Sequence, residues 1–191
     1  LLFFYVFKEA SSQNRLRLIV LFSLIFYSIW NVSLIYLFIG SILFNWYCSK
    51  LMDIYQHKKR VILAFGIASN VLILAYYKYF NFFSENINNA IGEDIFVSNV
   101  VLPLAISFYT IQQIAYLVDY SQGVIKYQPT LTQYSSFVAF FPQLIAGPIV
   151  HYKVLSEQFS QEKTYSVNSK NISLGLLFLS IGIFKKVALG D

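Results

Sequence analysis

Long apolar runs separated by short polar breaks cover most of the chain. Residues 16–30 (LRLIVLFSLIFYSIW), 33–48, 61–80, 101–120 and 172–190 each hold 15 to 20 predominantly apolar residues. About 20 such residues in a helix cross the hydrocarbon core of a bilayer. The pattern therefore predicts an all-α, polytopic membrane protein. Residues 1–7 (LLFFYVF) are too short to span, and no charged region precedes them and no small-residue cleavage site follows. They read as the partial remnant of a further span, and FKKVALGD ends the chain with no polar tail. The expectation is one transmembrane domain over residues 1–191, a piece of something longer.

One apolar stretch does not fit a plain spanning helix. Residues 131–150 follow a Thr130/Gln133 pair at capping-box spacing, which sets a helix start. Pro142 and Pro148 then remove two backbone donors six residues apart. Non-helical backbone at membrane depth is tolerated only inside protein or along a water-filled cavity. This spacing predicts a broken or re-entrant segment, bent by Pro142, Gly147 and Pro148, that carries Gln143 and His151 toward an interior space. The alternative is a Pro-kinked spanning helix without a special role. In the preceding span, Gln112, Tyr116 and Asp119 fall on one helical face, and Ile111, Ile114 and Val118 on another. Such a polar stripe either makes interhelical hydrogen bonds or lines a wet cavity. Pro103 is expected in the first turn of that span, where a missing N–H does little harm.

Composition supports the membrane reading: 57% of residues are hydrophobic and only 12% charged, against about 25% charged in soluble domains. The net charge of +5 is dispersed between apolar runs and not striped along one face, so the cations read as topology signals and not as a nucleic-acid surface. Residues 8–17 carry three cations and one anion, and residues 50–60 four cations and one anion. The loop 81–99 carries three anions and no cation. Short basic loops stay in the cytoplasm, which places 8–17 and 50–60 inside and 81–99 outside. Cys48 is the single cysteine, and with two distant histidines it makes no metal-ligand pattern. His57 stands among Lys58, Lys59 and Arg60 as a solvated loop residue. No phosphate loop, nucleophile elbow or zinc motif is present in the sequence.

The blocks LPLAISFYTIQQIAYLVDYSQG (102–123), FVAFFPQLIAGPIVHY (137–152) and IGIFKKVALGD (181–191), with YYKYFNFF (76–83) upstream, resemble the membrane-bound O-acyltransferase family, and within it the bacterial alginate O-acetyltransferase type. The resemblance implies a multi-helix bundle around a thinned centre. In it an acyl group, expected to be acetyl, moves from acetyl-CoA or another cytoplasmic acyl thioester to hydroxyls of an extracytoplasmic polysaccharide such as alginate, at the bacterial inner membrane. It also implies a periplasmic or extracellular partner protein and no bound cofactor or metal. The family's essential histidine is expected beyond Asp191, in a chain of which these residues are an N-terminal portion, so no catalytic residue is assigned here. Gln112, Tyr116, Gln143 and His151 are the candidates for facing the substrate passage. A transporter component or a non-catalytic scaffold remain the readings from other classes; a transporter would move substrate without any acyl donor.

Overall fold

The computed structural model describes residues 11–30, 32–92, 99–165 and 168–190. The predicted remnant 1–7, Lys8, Glu9, Asn31, Glu93, Asp94 and Asp191 lie outside the described residues. Among the described residues, eight α-helices follow one another: α1 (Ser12–Trp30), α2 (Ile35–Ile54), α3 (Lys59–Ile91), α4 (Ile106–Ser121), α5 (Leu131–Ala139), α6 (Phe141–Ala146), α7 (Tyr152–Ser160) and α8 (Ser169–Phe184). No strand occurs among the described residues. Among the described residues, three helical stretches are long and apolar enough to cross a membrane, Val32–Ile54, Gln56–Ile91 and Ser169–Ala188. The protein is an all-α membrane protein.

Several helix boundaries differ from those the sequence predicts: α1 begins at Ser12 and α2 runs on to Ile54, so that 12–17 and 50–54 of the expected basic loops are helical, and two further differences have a local reason. The expected loop 81–99 begins instead as helix, because α3 runs on to Ile91 and stops at Gly92, whose φ of 77° gives the left-handed C-cap. Its 33 residues measure about 50 Å, well beyond a hydrocarbon core of about 30 Å. The span expected at 101–120 starts only at Ile106, so Pro103 lies before the helix and not in its first turn. Ala105 adopts φ 56°, a left-handed conformation that cannot continue a helix from Pro103. The stretch 100–104 that leads into α4 is tethered at both ends. Asn81 donates to the Val100 carbonyl and accepts from its N–H, both at 2.9 Å, and the Tyr27 hydroxyl donates to the Leu104 carbonyl at 3.3 Å.

The segment 131–150 is broken. The Thr130/Gln133 capping box forms as the spacing predicts, and α5 ends at Phe140, whose ψ of 96° turns the chain before Pro142 enters the first turn of α6. The freed backbone groups find partners within the protein. The Phe141 N–H donates to Ser23 Oγ of α1 at 3.4 Å, the Gly147 N–H to the Gln143 carbonyl at 2.9 Å, and the Gln143 side chain to the Pro148 carbonyl at 2.9 Å. Helix α1 packs chiefly on α5, while α4 packs on α2 and α3. The core is aromatic, with Tyr27, Phe38, Tyr109, Tyr116, Tyr134, Phe137 and Tyr152 fully enclosed. Helix α8, apolar on every side, has no buried residue among those described, as a helix in contact with lipid or with further protein requires.

Candidate functional site

The interior of the bundle is organised by a polar ladder. Ser41, Asn45, Ser49 and Asp53 recur at every fourth position of α2 and so stack on one face. Opposite them stand Gln113, Tyr116 and Tyr120 of α4. Asn45 donates to Asn70 Oδ1 of α3 and to Gln113 Oε1, both at 3.1 Å, and accepts from Asn70 Nδ2 at 2.7 Å. Gln113 in turn donates to Ser41 Oγ at 3.2 Å and accepts from the Tyr134 hydroxyl of α5 at 3.1 Å. Four helices thus meet in one buried, hydrogen-bonded cluster. One level further, Ser49 Oγ accepts from Tyr116 at 3.0 Å and from Gln128 at 3.2 Å, and donates its own proton to the Trp46 carbonyl. Tyr120 donates to Asp53 at the end of the bundle.

That end gathers several chain segments. The Trp46 indole donates to the Pro129 carbonyl at 2.8 Å, fixing the 122–130 loop on α2. His151, directly after the broken segment, donates from Nδ1 to Asp119 Oδ2 at 2.7 Å; its ring is largely exposed while the carboxylate is only 13% so. This pair clips the start of α7 to the end of α4. Tyr152 beside it is buried, with its ring edge-on to both Tyr116 and Phe137. Burial raises the Tyr152 pKa, with the Tyr127 and Tyr116 phenols adding to the effect, so it stays protonated.

Two cavities flank α7 at this end. The inner one, of about 130 Å³, lies between α1, α5 and α7, with Leu16, Ser136, Phe137, Tyr152, Ser156 and Ser160 among its walls. The outer one, of about 300 Å³, lies between α7 and the 122–130 loop, with Lys126, Tyr127 and Lys153 at its rim. Tyr127, Tyr152, Ser156 and Glu157 belong to both walls. No cluster of metal-ligating side chains is found among the described residues.

Compared with known proteins, the chain is 40% identical to a peptidoglycan O-acetyltransferase of Helicobacter pylori over 98% of its own length. It is 31% identical to a probable alginate O-acetylase AlgI of Pseudomonas aeruginosa over 99% of its length, and 30% identical to that of Pseudomonas syringae pv. tomato over all of it. Similarity to proteins named as O-acetyltransferases or O-acetylases thus runs along nearly the whole of the chain. The chain spans about two fifths of the relatives it matches: 41%, 37% and 38% of their respective lengths. No protein-family model matches the chain, and no solved structure does.

The four candidate passage residues take different places. Gln112 and Tyr116 are fully buried on the inward face of α4. Gln112 donates weakly to the Phe137 carbonyl, at 3.4 Å, and its Oε1 finds no partner. Tyr116 bonds Ser49 and packs its ring 4.4 Å from that of Tyr134. His151 joins this neighbourhood through Asp119 and the adjacent Tyr152. Gln143 is engaged locally, holding the turn at Pro148. Gly147 and Pro148 form that turn. A Cβ at Gly147 would stand 2.5 Å from Gln143 Cγ and 2.8 Å from its Cα, so only glycine fits. His57 lies in the exposed turn Gln56–Lys58, as the sequence predicts. Sequence reasoning overlooked Asn45, Asn70 and Gln113, although the fourfold spacing of Ser41, Asn45, Ser49 and Asp53 was a signal for the first of them.

Proposed function

We propose that these residues form the scaffold and passage wall of a membrane O-acetyltransferase. The enzyme transfers an acetyl group from acetyl-CoA or another cytoplasmic thioester to hydroxyls of an extracytoplasmic polysaccharide. Alginate and peptidoglycan are the polymers named among its relatives. The observation that carries this reading is similarity over essentially the whole chain to proteins named as O-acetyltransferases. The geometry supports it in two ways. The broken segment has its backbone groups satisfied by protein, as a wall at membrane depth needs. A rigid, water-poor interior keeps an activated acyl group from hydrolysis while its acceptor is oriented.

In this reading the general base or acyl-transfer histidine belongs to a membrane helix outside these 191 residues, and His151 acts as a clip. The basic loops 8–17 and 50–60 face the cytoplasm of a bacterial inner membrane, and an extracytoplasmic partner protein receives or guides the acceptor. The structure brings the start of α1, the end of α2 and the end of α4 to one end of the bundle, as that arrangement needs. Deleting the gene in the source bacterium and measuring O-acetyl ester on its envelope polysaccharides tests the proposal. Ester content falls and returns with the full-length gene; unchanged ester on every envelope polymer would refute it.

A further inference from the structure

A helix running without interruption from α5 into α6 would bond the Phe141 N–H to the Phe137 carbonyl, four residues back. That bond does not form. Its two halves are taken by side chains of two other helices. Ser23 Oγ of α1 accepts from the Phe141 N–H at 3.4 Å, and Gln112 Nε2 of α4 donates to the Phe137 carbonyl, also at 3.4 Å. Ser23 and Gln112 are each only 1% exposed, so bulk water does not compete for either bond. Only the nitrogen end of the Gln112 amide can face a carbonyl, which leaves its Oε1 without a partner. The same face of α1 also holds residue 141 by its ring, with the Phe26 and Phe141 centroids 5.1 Å apart.

The joint between the two helices comes down to one torsion. Phe140 keeps a helical φ of −52°, and only its ψ of 96° departs from the helical value of about −42°. Turning that torsion back would line α6 up with α5 and return the Phe141 N–H to the Phe137 carbonyl. Pro142 opposes the continuous form, because its ring meets the Val138 carbonyl there, but helices accommodate such a proline by kinking. The proline alone therefore does not fix the break. We propose that Ser23 and Gln112 are a pair of positioning residues for the passage wall: they divide between them the backbone hydrogen bond that the break gives up, and so hold α6 off the axis of α5. Gln112 thereby acts through the Phe137 backbone and not on a substrate. The effect on turnover rests on the acyl-transfer reading; the effect on shape stands apart from it.

Leu131 and Ile149 are exposed and Cys48 is buried, so Leu131→Cys/Ile149→Cys in the full-length protein takes spin labels on either side of the break. Pulsed electron paramagnetic resonance reads the distance between them. Methionine fills the volume of glutamine without an N–H and without the unpaired oxygen, so Gln112→Met unfolds at or near the native temperature. It nevertheless lowers acetyl transfer about tenfold or more, as a displaced wall misplaces the reactants, and adds a longer component to the label distance. Ser23→Ala leaves the Phe141 N–H without its acceptor and lowers the unfolding temperature. In Ser23→Ala/Gln112→Met the Phe141 N–H and the Phe137 carbonyl have only each other. The label distance then lengthens toward that of a continuous helix, and the double variant unfolds at a higher temperature than Ser23→Ala alone, although the two side chains bond different atoms. The proposal is overturned if the double variant keeps the native label distance, or if Gln112→Met transfers acetyl as the native protein does. Gln112→Met keeps the test open should Ser23→Ala fail to fold. Label distances that respond as expected in a protein that transfers no acetyl group would instead count against the function proposed above.

Discussion

Gly147 and Asn45 show how much of this protein rests on single side chains. Any residue larger than glycine at 147 meets the backbone of Gln143, including its carbonyl oxygen at 2.9 Å, and backbone gives way less readily than a side-chain tip. Gly147→Ala is expected to destabilise by about 1–3 kcal/mol, the usual cost of overpacking. Gly40→Ala, where nothing lies within 4 Å of the new atom, should leave stability unchanged or raise it. Thermal unfolding in detergent reads both. Asn45 joins α2 to α3 and α4, and its removal takes from Asn70 Oδ1 its hydrogen-bond donor in the interior, while Gln113 keeps Ser41 and Tyr134. Interhelical hydrogen bonds in membranes average about 0.6 kcal/mol, but an unsatisfied buried partner costs about 1–3 kcal/mol. The second effect decides the outcome. Asn45→Leu should therefore cost more than Asn45→Leu/Asn70→Leu does beyond Asn70→Leu alone, a non-additivity that a double-mutant cycle measures.

Among the elements, the broken segment and α3 diverge most from ideal spanning helices. The break at Phe140 is held from both sides, by Ser23 Oγ on α1, which accepts from the Phe141 N–H, and by the Gln143 N–H, which donates to the Phe140 carbonyl. Alanine at Pro142 restores a backbone donor and lets α5 continue toward α6, straightening the wall. Pro142→Ala/Pro148→Ala in the complete enzyme is expected to lower acetyl transfer more than membrane insertion, measured side by side in the same membranes; equal losses would make the segment structural only. Helix α3 approaches α4 closely at Gly66, where a Cβ would lie 2.8 Å from Leu117 Cδ1. Leu117 is fully buried, so it has little room to yield.

For the molecule as a whole, the two ends of the bundle differ in what they gather. One end holds the basic loop after α2, the Asp53–Tyr120 contact, the His151–Asp119 clip and the two cavities. At the other, Asn81 pins the return of the chain into α4. Cys48 is buried, so cysteine labelling starts from a low background. Ser12→Cys and Lys58→Cys should react with an impermeant maleimide only when the cytoplasmic face is opened, and Asn89→Cys in intact spheroplasts. The reverse pattern would invert the topology drawn from charge.

The sequence by itself determined the membrane class, the order of the apolar helices though not the end of α3 or the start of α4, the capping box at Thr130 and the break after α5. These follow from hydropathy, periodicity and proline chemistry, which act over neighbouring residues. It also marked Gln112, Tyr116 and Asp119 as one face, because helical period alone puts them there. It did not show that Gln113 on the flanking position would be the hub of the buried cluster, nor that Asn45 and Asn70, 25 residues apart, would bond each other. It did not show that Ala105 would take a left-handed conformation, or that two cavities would flank α7. Those outcomes depend on which helix faces pack together, and that choice is made by complementarity between distant segments in three dimensions.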